Sequence, residues 1–345
     1  MKTRNGAIVA LLALATCSEQ SPDPGSSSVE STARRLGRVP GTEVAVWQKL
    51  GSTTTPDARY LQAATFDSAR KMVVMFGGTN LSPNTGMAVP NQETWEWSTA
   101  TGKWANRTGA GSTPDARSGA AMAYDSKRAK VILFGGRAGS GYNYEDTWEW
   151  DPSTGLWTDV TNAGSHPSGR SQAGMVYEAS TGKIFLFGGG RSDANSYDAT
   201  GAVVSLADSW ELDPATHVWT QLTTAAAPTA RHDFGMVWDS TRNKVVLFGG
   251  MQIDMSGVTG IPKQDSWEWE PSTATWSERT SQGSKPAARY AHAMAYDGKR
   301  AKVVVFGGFD IATGGSLSDV WDWEPTTGAW TQRLNGSEAG IPTAR

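Results

Sequence analysis

Apolar residues in this chain fall in short runs, and the runs recur in a fixed order. In one stretch, residues 118–124 are small and mostly apolar, and 130–134 read Lys-Val-Ile-Leu-Phe. Residues 147–150 then alternate as Thr-Trp-Glu-Trp, and 156–160 carry one further Trp, Trp157. Runs of four to seven residues separated by turn signals predict strands, not helices. The intervening segments 125–129 and 151–155 hold the Asp, Ser, Pro and Gly of tight connections. Four antiparallel strands are therefore expected in this stretch.

The same order appears five times between Arg59 and Trp330. Its fixed points are an Arg, a Phe-Gly-Gly closing the second run, a Trp pair or its variant in the third, and a last Trp in the fourth. The Phe residues are Phe76, Phe134, Phe187, Phe248 and Phe306, spaced 53 to 61 residues apart. The third run carries Trp95/Trp97, Trp148/Trp150, Trp210 with Leu212, Trp267/Trp269 and Trp321/Trp323, and the fourth Trp104, Trp157, Trp219, Trp276 and Trp330. Self-similarity at one period signals a repeat architecture, and four strands per period predict the blades of a β-propeller, here called strands a to d. Residues two apart on a strand share a face, so each Trp pair points one way and the acid between them the other. Indoles so placed predict an apolar seam between blades.

These residues resemble the kelch repeat, from about Val44 to the end of the chain. The resemblance implies an all-β fold of the kelch-type β-propeller kind, with strands a to d running outward from a central channel. It also implies that the Gly pair lies where a side chain would not fit. The count predicts five complete four-stranded blades plus a lone strand of an incomplete sixth. That lone strand is 44–50, because Trp47 precedes Arg59 by 12 residues as Trp219 precedes Arg231. Residues 342–345, Pro-Thr-Ala-Arg, match the opening of a repeat, so the expectation is a propeller over 44–345 that is truncated at its carboxyl end.

Spacing separates scaffold from variable parts. Arg to the acid ending strand a is eight residues in every copy, and that acid to Phe is nine. From the last Gly to the first Trp position it is 17, 12, 21, 17 and 13 residues, so variation concentrates between strands b and c. Those connections and the d-to-a connections emerge on one face, which is the expected binding surface. Its candidate contact residues are the aromatics Tyr142, Tyr144, Tyr197 and Phe309 and the recurring Arg59, Arg117, Arg170, Arg231 and Arg289. Each Arg has a counterpart acid two residues before the first Trp position: Glu93, Asp146, Asp208, Asp265 and Asp319. Either the two sets pair as structure, which five equivalent copies favour, or the arginines form a cationic ring for an acidic or sugar ligand.

A net charge of −3 over 345 residues gives no electrostatic reason to expect nucleic acid. The amino end changes the picture more. Lys2 and Arg4 precede an apolar run, 7–15, too short to span a bilayer, and then the only cysteine, Cys17. Leu14-Ala15-Thr16-Cys17 resembles the lipobox of bacterial lipoproteins, which implies a signal peptide over 1–17, lipidation at Cys17 and an outer-membrane address. An ordinary signal peptide is the alternative, and Thr16 departs from the usual small residue. Residues 18–43, rich in Ser, Pro and Gly, predict a disordered linker.

Enzyme chemistry finds little support. Galactose oxidase also uses kelch blades, but its copper site resembles a Tyr, His and Cys set, and here the one Cys lies in the signal region. His232 and His292, early in adjacent copies, are a weak metal signal; no metal or other cofactor is expected. The Asp-Pro-Ser-Thr-Gly at 151–155 matches a sialidase Asp-box only loosely, and Asp193, Asn195 and Asp198 lack EF-hand spacing. The expectation is a cell-surface module binding protein or glycan, attached to membrane only through a lipid anchor; the alternative is a secreted carbohydrate-active enzyme, glycosidase- or sialidase-like, using the same face.

Overall fold

Five antiparallel four-stranded sheets succeed one another in the computed structural model, which describes residues 54–82, 87–109, 111–192, 203–253 and 260–336. Strands a to d of the first sheet are Ala63–Asp67, Met72–Phe76, Thr94–Ser98 and Lys103–Asn106; of the second, Ala121–Asp125, Lys130–Phe134, Thr147–Asp151 and Leu156–Asp159. The third has Gly174–Glu178, Lys183–Phe187, Ser209–Asp213 and Val218–Leu222, and the fourth Gly235–Asp239, Lys244–Phe248, Ser266–Glu270 and Thr275–Glu278. The fifth has Ala293–Asp297, Lys302–Asp310, Gly315–Glu324 and Ala329–Leu334. Among the described residues there is no helix. Strand a starts later than the pattern suggests: Ser118 makes only an isolated bridge to Arg137, because Gly119 turns the backbone left-handed before Ala121.

Strands a of successive sheets lie side by side and all five line one cavity, an arrangement consistent with a kelch-type β-propeller. The sheets interlock through the predicted seam. Val74 and Phe76 of the first sheet pack on Val131, Leu133, Trp148, Trp150 and Trp157 of the second. The Phe of each of the first four Phe-Gly-Gly copies meets the closing Trp of the next sheet: Phe76 with Trp157, Phe134 with Trp219, Phe187 with Trp276 and Phe248 with Trp330, with ring centroids 4.7 to 5.2 Å apart. Trp157, Trp219 and Trp276 also donate Nε1 to Thr94, Thr147 and Ser209 of the preceding sheet. The first sheet departs from the set, for Trp97 and Trp104 are half-buried where Trp150, Trp269 and Trp323 are fully buried.

The Gly pair has a structural cause. A Cβ on Gly135 would lie 2.6 Å from the carbonyl oxygen of Arg170 in the next sheet, and one on Gly77 2.5 Å from that of Arg117. In the first four sheets the second Gly of the pair donates its N–H to that same Arg carbonyl, as Gly136 does to Arg170 at 2.8 Å. Neighbouring backbones therefore touch at this point, and both glycines hold positive φ. Near the channel mouth the contact continues as a backbone chain: Gly119 N–H to Leu61, Gln172 to Gly119, Asp233 to Gln172 and Ala291 to Asp233. Leu61, Gln172, Asp233 and Ala291 adopt left-handed φ to make it.

The expected signal peptide with Cys17, the linker 18–43, the strand 44–50, residues 342–345 and Tyr197 lie outside the described residues.

Candidate functional site

The recurring arginines lie at the start of each repeat on the long-loop side, and all five are at most 2% exposed. Arg231 shows the arrangement in full. Its Nε donates to the Thr229 carbonyl, Nη1 to Gly249 O and Asp265 Oδ1, and Nη2 to Thr229 Oγ1 and Asp265 Oδ2. Asp265 in turn accepts Trp267 Nε1 at 2.7 Å. Arg117 with Asp146, Arg170 with Asp208 and Arg289 with Asp319 repeat the bidentate pair, and Arg59 reaches Glu93 with one Nη and Asn91 with the other. Each guanidinium thus ties the Phe-Gly-Gly carbonyl, the b-to-c connection and the strand c Trp of its own sheet together. Burial alone would raise the carboxyl pKa of Asp208, Asp265 and Asp319, but the Arg and Trp donors outweigh it and hold all three low. Of the two readings open in the sequence, the structure displays the mutual pairing, and the donors that a ligand-binding ring would need are already engaged.

A second ionic set, missed in the sequence, braces the opposite face. Arg70 joins Asp67 to Glu96, Arg242 joins Asp239 to Glu268, and Arg300 joins Asp297 to Asp322. Its signal was available as an Arg three residues after the acid that ends strand a. The third sheet breaks the rule with Thr181, leaving Glu178 buried without a guanidinium. Burial pushes the Glu178 carboxyl up to about 7, despite hydrogen bonds from Thr181 Oγ1 and Trp269 Nε1.

A carboxyl raised in the folded state favours folding below its unfolded pKa and loses that contribution as pH rises through its folded pKa. Stability is therefore expected to fall by on the order of 3 kcal/mol between about pH 4.5 and 7 from this group alone. Glu178→Gln should match the parent at pH 4.5 and exceed it at pH 8 in urea denaturation. A variant no more stable than the parent at pH 8 would show Glu178 to be ionised without penalty.

The long-loop face bears most of the exposed large apolar side chains. Tyr60, Leu81, Met87, Val89, Tyr142, Ile261 and Ile311 all belong to its connections; among the described residues, only Leu156 and Val218, opening strands d, are placed elsewhere. Short hairpins present them: Thr79–Leu81 pairs with Arg59–Tyr60 and with Ala88–Pro90, and Met251–Gln252 pairs with Ile261–Pro262. The loops of the first two sheets adjoin, a Cβ on Gly139 falling 3.3 Å from Pro90.

Of the candidate aromatics, Tyr142 is 56% exposed and meets Tyr144 edge-on at 5.5 Å. Tyr144 is half-buried over the Arg117 guanidinium, 3.8 Å from its ring centroid, and Phe309 is half-buried against Tyr290.

His232 and His292 are not equivalent. His232 follows its repeat Arg directly and meets Ser205 Oγ through Nδ1 at 3.0 Å, whereas His292 is three residues past its Arg and packs over Gly235. Ser205, His232 and Asp233 do not form a hydrolytic triad. Ser205 is buried and accepts the Ile253 N–H, and His232 Nε2 stands 3.8 Å from Asp233, beyond hydrogen-bond reach. The 151–155 segment is a turn, with Asp151 accepting Ser153 N and Oγ and Gly155 N.

Sheets locked by Arg–acid–Trp clusters around a shared channel define the molecule as a repeat scaffold with one variable face. Residues 63–270 match the model of the KLHDC2/KLHL20/DRC7 Kelch-repeats domain, and the chain belongs to the kelch-repeat family. It is similar to Mei4-dependent protein 6 of Schizosaccharomyces pombe, 29% identical over 204 residues, or 56% of this chain and 28% of that protein. Host cell factor 2 of Homo sapiens is 26% identical over 276 residues, covering 76% of this chain and 32% of that protein. Rab9 effector protein with kelch motifs of Xenopus laevis is 24% identical over 208 residues, 59% and 52% respectively. The chain spans only 28 to 52% of the length of these relatives.

Proposed function

We propose that this chain is a protein-binding module that uses the long-loop face, centred on the connections of the first two sheets. The observation that carries the reading is the concentration of Leu81, Met87, Val89 and Tyr142 there, exposed by 49 to 68% on a scaffold whose opposite face is braced by ion pairs. Pro90 sits in the outermost strand of the first-sheet hairpin and withholds a backbone donor, so partner contact is through side chains rather than strand addition. Kelch relatives that include a named Rab9 effector support a binding role. The experiment compares the parent with Met87→Ser/Val89→Ser/Tyr142→Ser by crosslinking in cells: the triple variant should keep its melting temperature and lose its crosslinked protein partners. Retained protein partners would overturn the reading, and selective retention on a glycan array would transfer it to a sugar ligand.

The export and anchoring read from 1–17 belong to the same proposal: the module is displayed at a bacterial cell envelope through lipidated Cys17, with 18–43 as tether. Cys17→Ser should then move the protein from the membrane to the soluble fraction; unchanged membrane association would exclude the anchor.

A further inference from the structure

The repeat register places equivalent side chains of strand a at equal depths in the central channel. Five residues after each Arg stand Ala64, Met122, Met175, Met236 and Met294, and seven after stand Phe66, Tyr124, Tyr177, Trp238 and Tyr296; all ten line one cavity of about 790 Å³. That volume is within the range of pockets that enclose small molecules, about 300–1,000 Å³. The wall contains no Asp, Glu, Lys or Arg among the described residues. Its one histidine, His292, is held neutral, its pKa pushed down to about 3 by burial.

Thioethers and aromatic rings offer water almost no hydrogen bonds, and a buried water needs two to four partners. They do suit a ligand ring: methionine adapts its shape and its sulfur contacts aromatics favourably. The wall also carries the hydroxyl residues Thr65, Ser68, Ser126 and Ser240, and the Tyr296 hydroxyl already donates to Thr241. Gln62 Oε1 and Trp238 Nε1 are buried without a partner, and the His292 imidazole makes no hydrogen bond of good geometry, although all three residues line the channel.

We propose that this channel binds an uncharged small molecule, an aromatic ring system bearing a hydrogen-bonding group. The thioether layer and the aromatic ring hold its body, and the half-buried Gln62 amide holds its polar group. The site is separate from the long-loop contacts, so each is tested by its own variant.

The probe is N-phenyl-1-naphthylamine, neutral and fluorescent in apolar surroundings, titrated into the full chain. Saturable binding at one site per chain is expected. Ala64 is the small member of the thioether layer and is exposed to the channel, so Ala64→Trp fills space without displacing a packed neighbour. It should weaken binding at least tenfold at an unchanged melting temperature. Ala64→Phe, a smaller filler, decides the matter should Ala64→Trp destabilise the fold. The chain should also prefer 1-naphthol to naphthalene severalfold, and Gln62→Leu should erase that preference. Absence of saturable binding, or binding that survives channel filling but is lost in Tyr142→Ser, would overturn the proposal.

Discussion

Arg231→Ala should lose about 3–5 kcal/mol of stability, the usual consequence of removing one partner from a buried ion pair. The side chain is fully buried, and all its donors are used: the Thr229 backbone and hydroxyl, the Gly249 carbonyl and both oxygens of Asp265. Alanine leaves Asp265 with Trp267 Nε1 as its remaining side-chain donor and frees the b-to-c connection from the Phe-Gly-Gly turn. Arg231→Lys should recover little, because an ammonium cannot reproduce the planar fork that serves both carboxylate oxygens. Urea denaturation of the three proteins measures the difference. A stable Arg231→Ala that no longer captures a partner would instead make the guanidinium a ligand contact.

Trp269→Ala is expected to cost about 3–5 kcal/mol, as for other truncations of large buried aromatics. Trp269 is fully buried, stacks on Phe185 of the third sheet with centroids 4.6 Å apart, and donates Nε1 to Glu178 at 2.9 Å. The substitution therefore opens a cavity in an inter-sheet seam and strips a donor from a carboxyl already short of partners. Trp97 is the equivalent residue of the first sheet but is half-buried, so Trp97→Ala should cost only about 1 kcal/mol, in proportion to the smaller apolar area returned to water. Equal losses in thermal and urea unfolding would show the first sheet's seam to be as closed as the fourth's.

Much of this architecture is legible in the sequence, because it depends on local periodicity. Alternation placed both indoles of Trp148 and Trp150 on one face, and they pack there together against the first sheet. Constant spacing from Arg to acid and from acid to Phe marked the scaffold, and the variable b-to-c segments marked the face that carries Met87 and Tyr142. The Arg117–Asp146 pair was anticipated from recurrence alone, although recurrence left open whether the arginines face a ligand. Equal counts along the chain do not reveal which donors are already satisfied.

Three-dimensional contacts settled what spacing left open. The reason for the first Gly of the pair, in the first four sheets, is the carbonyl of an Arg in the next sheet, a residue more than thirty positions away in sequence, and only docking of sheets brings it within 2.5 to 2.8 Å of where a Cβ would stand. The channel escaped the sequence reading for a related reason: Ala64, Met122, Met175, Met236 and Met294 are ordinary apolar residues of separate strands, and they become one layer only when those strands stand around a common axis. The exposure of Trp97 against the burial of Trp150 likewise depends on what lies across the seam. Periods of two and of some fifty residues are written into the order of side chains, so the sequence by itself determined an all-β repeat scaffold with one uniform and one variable face. Burial, donor satisfaction and cavity lining arise between residues distant in the chain, so the tertiary structure alone decided that the five arginines are internal ties and that a charge-free channel runs beside them.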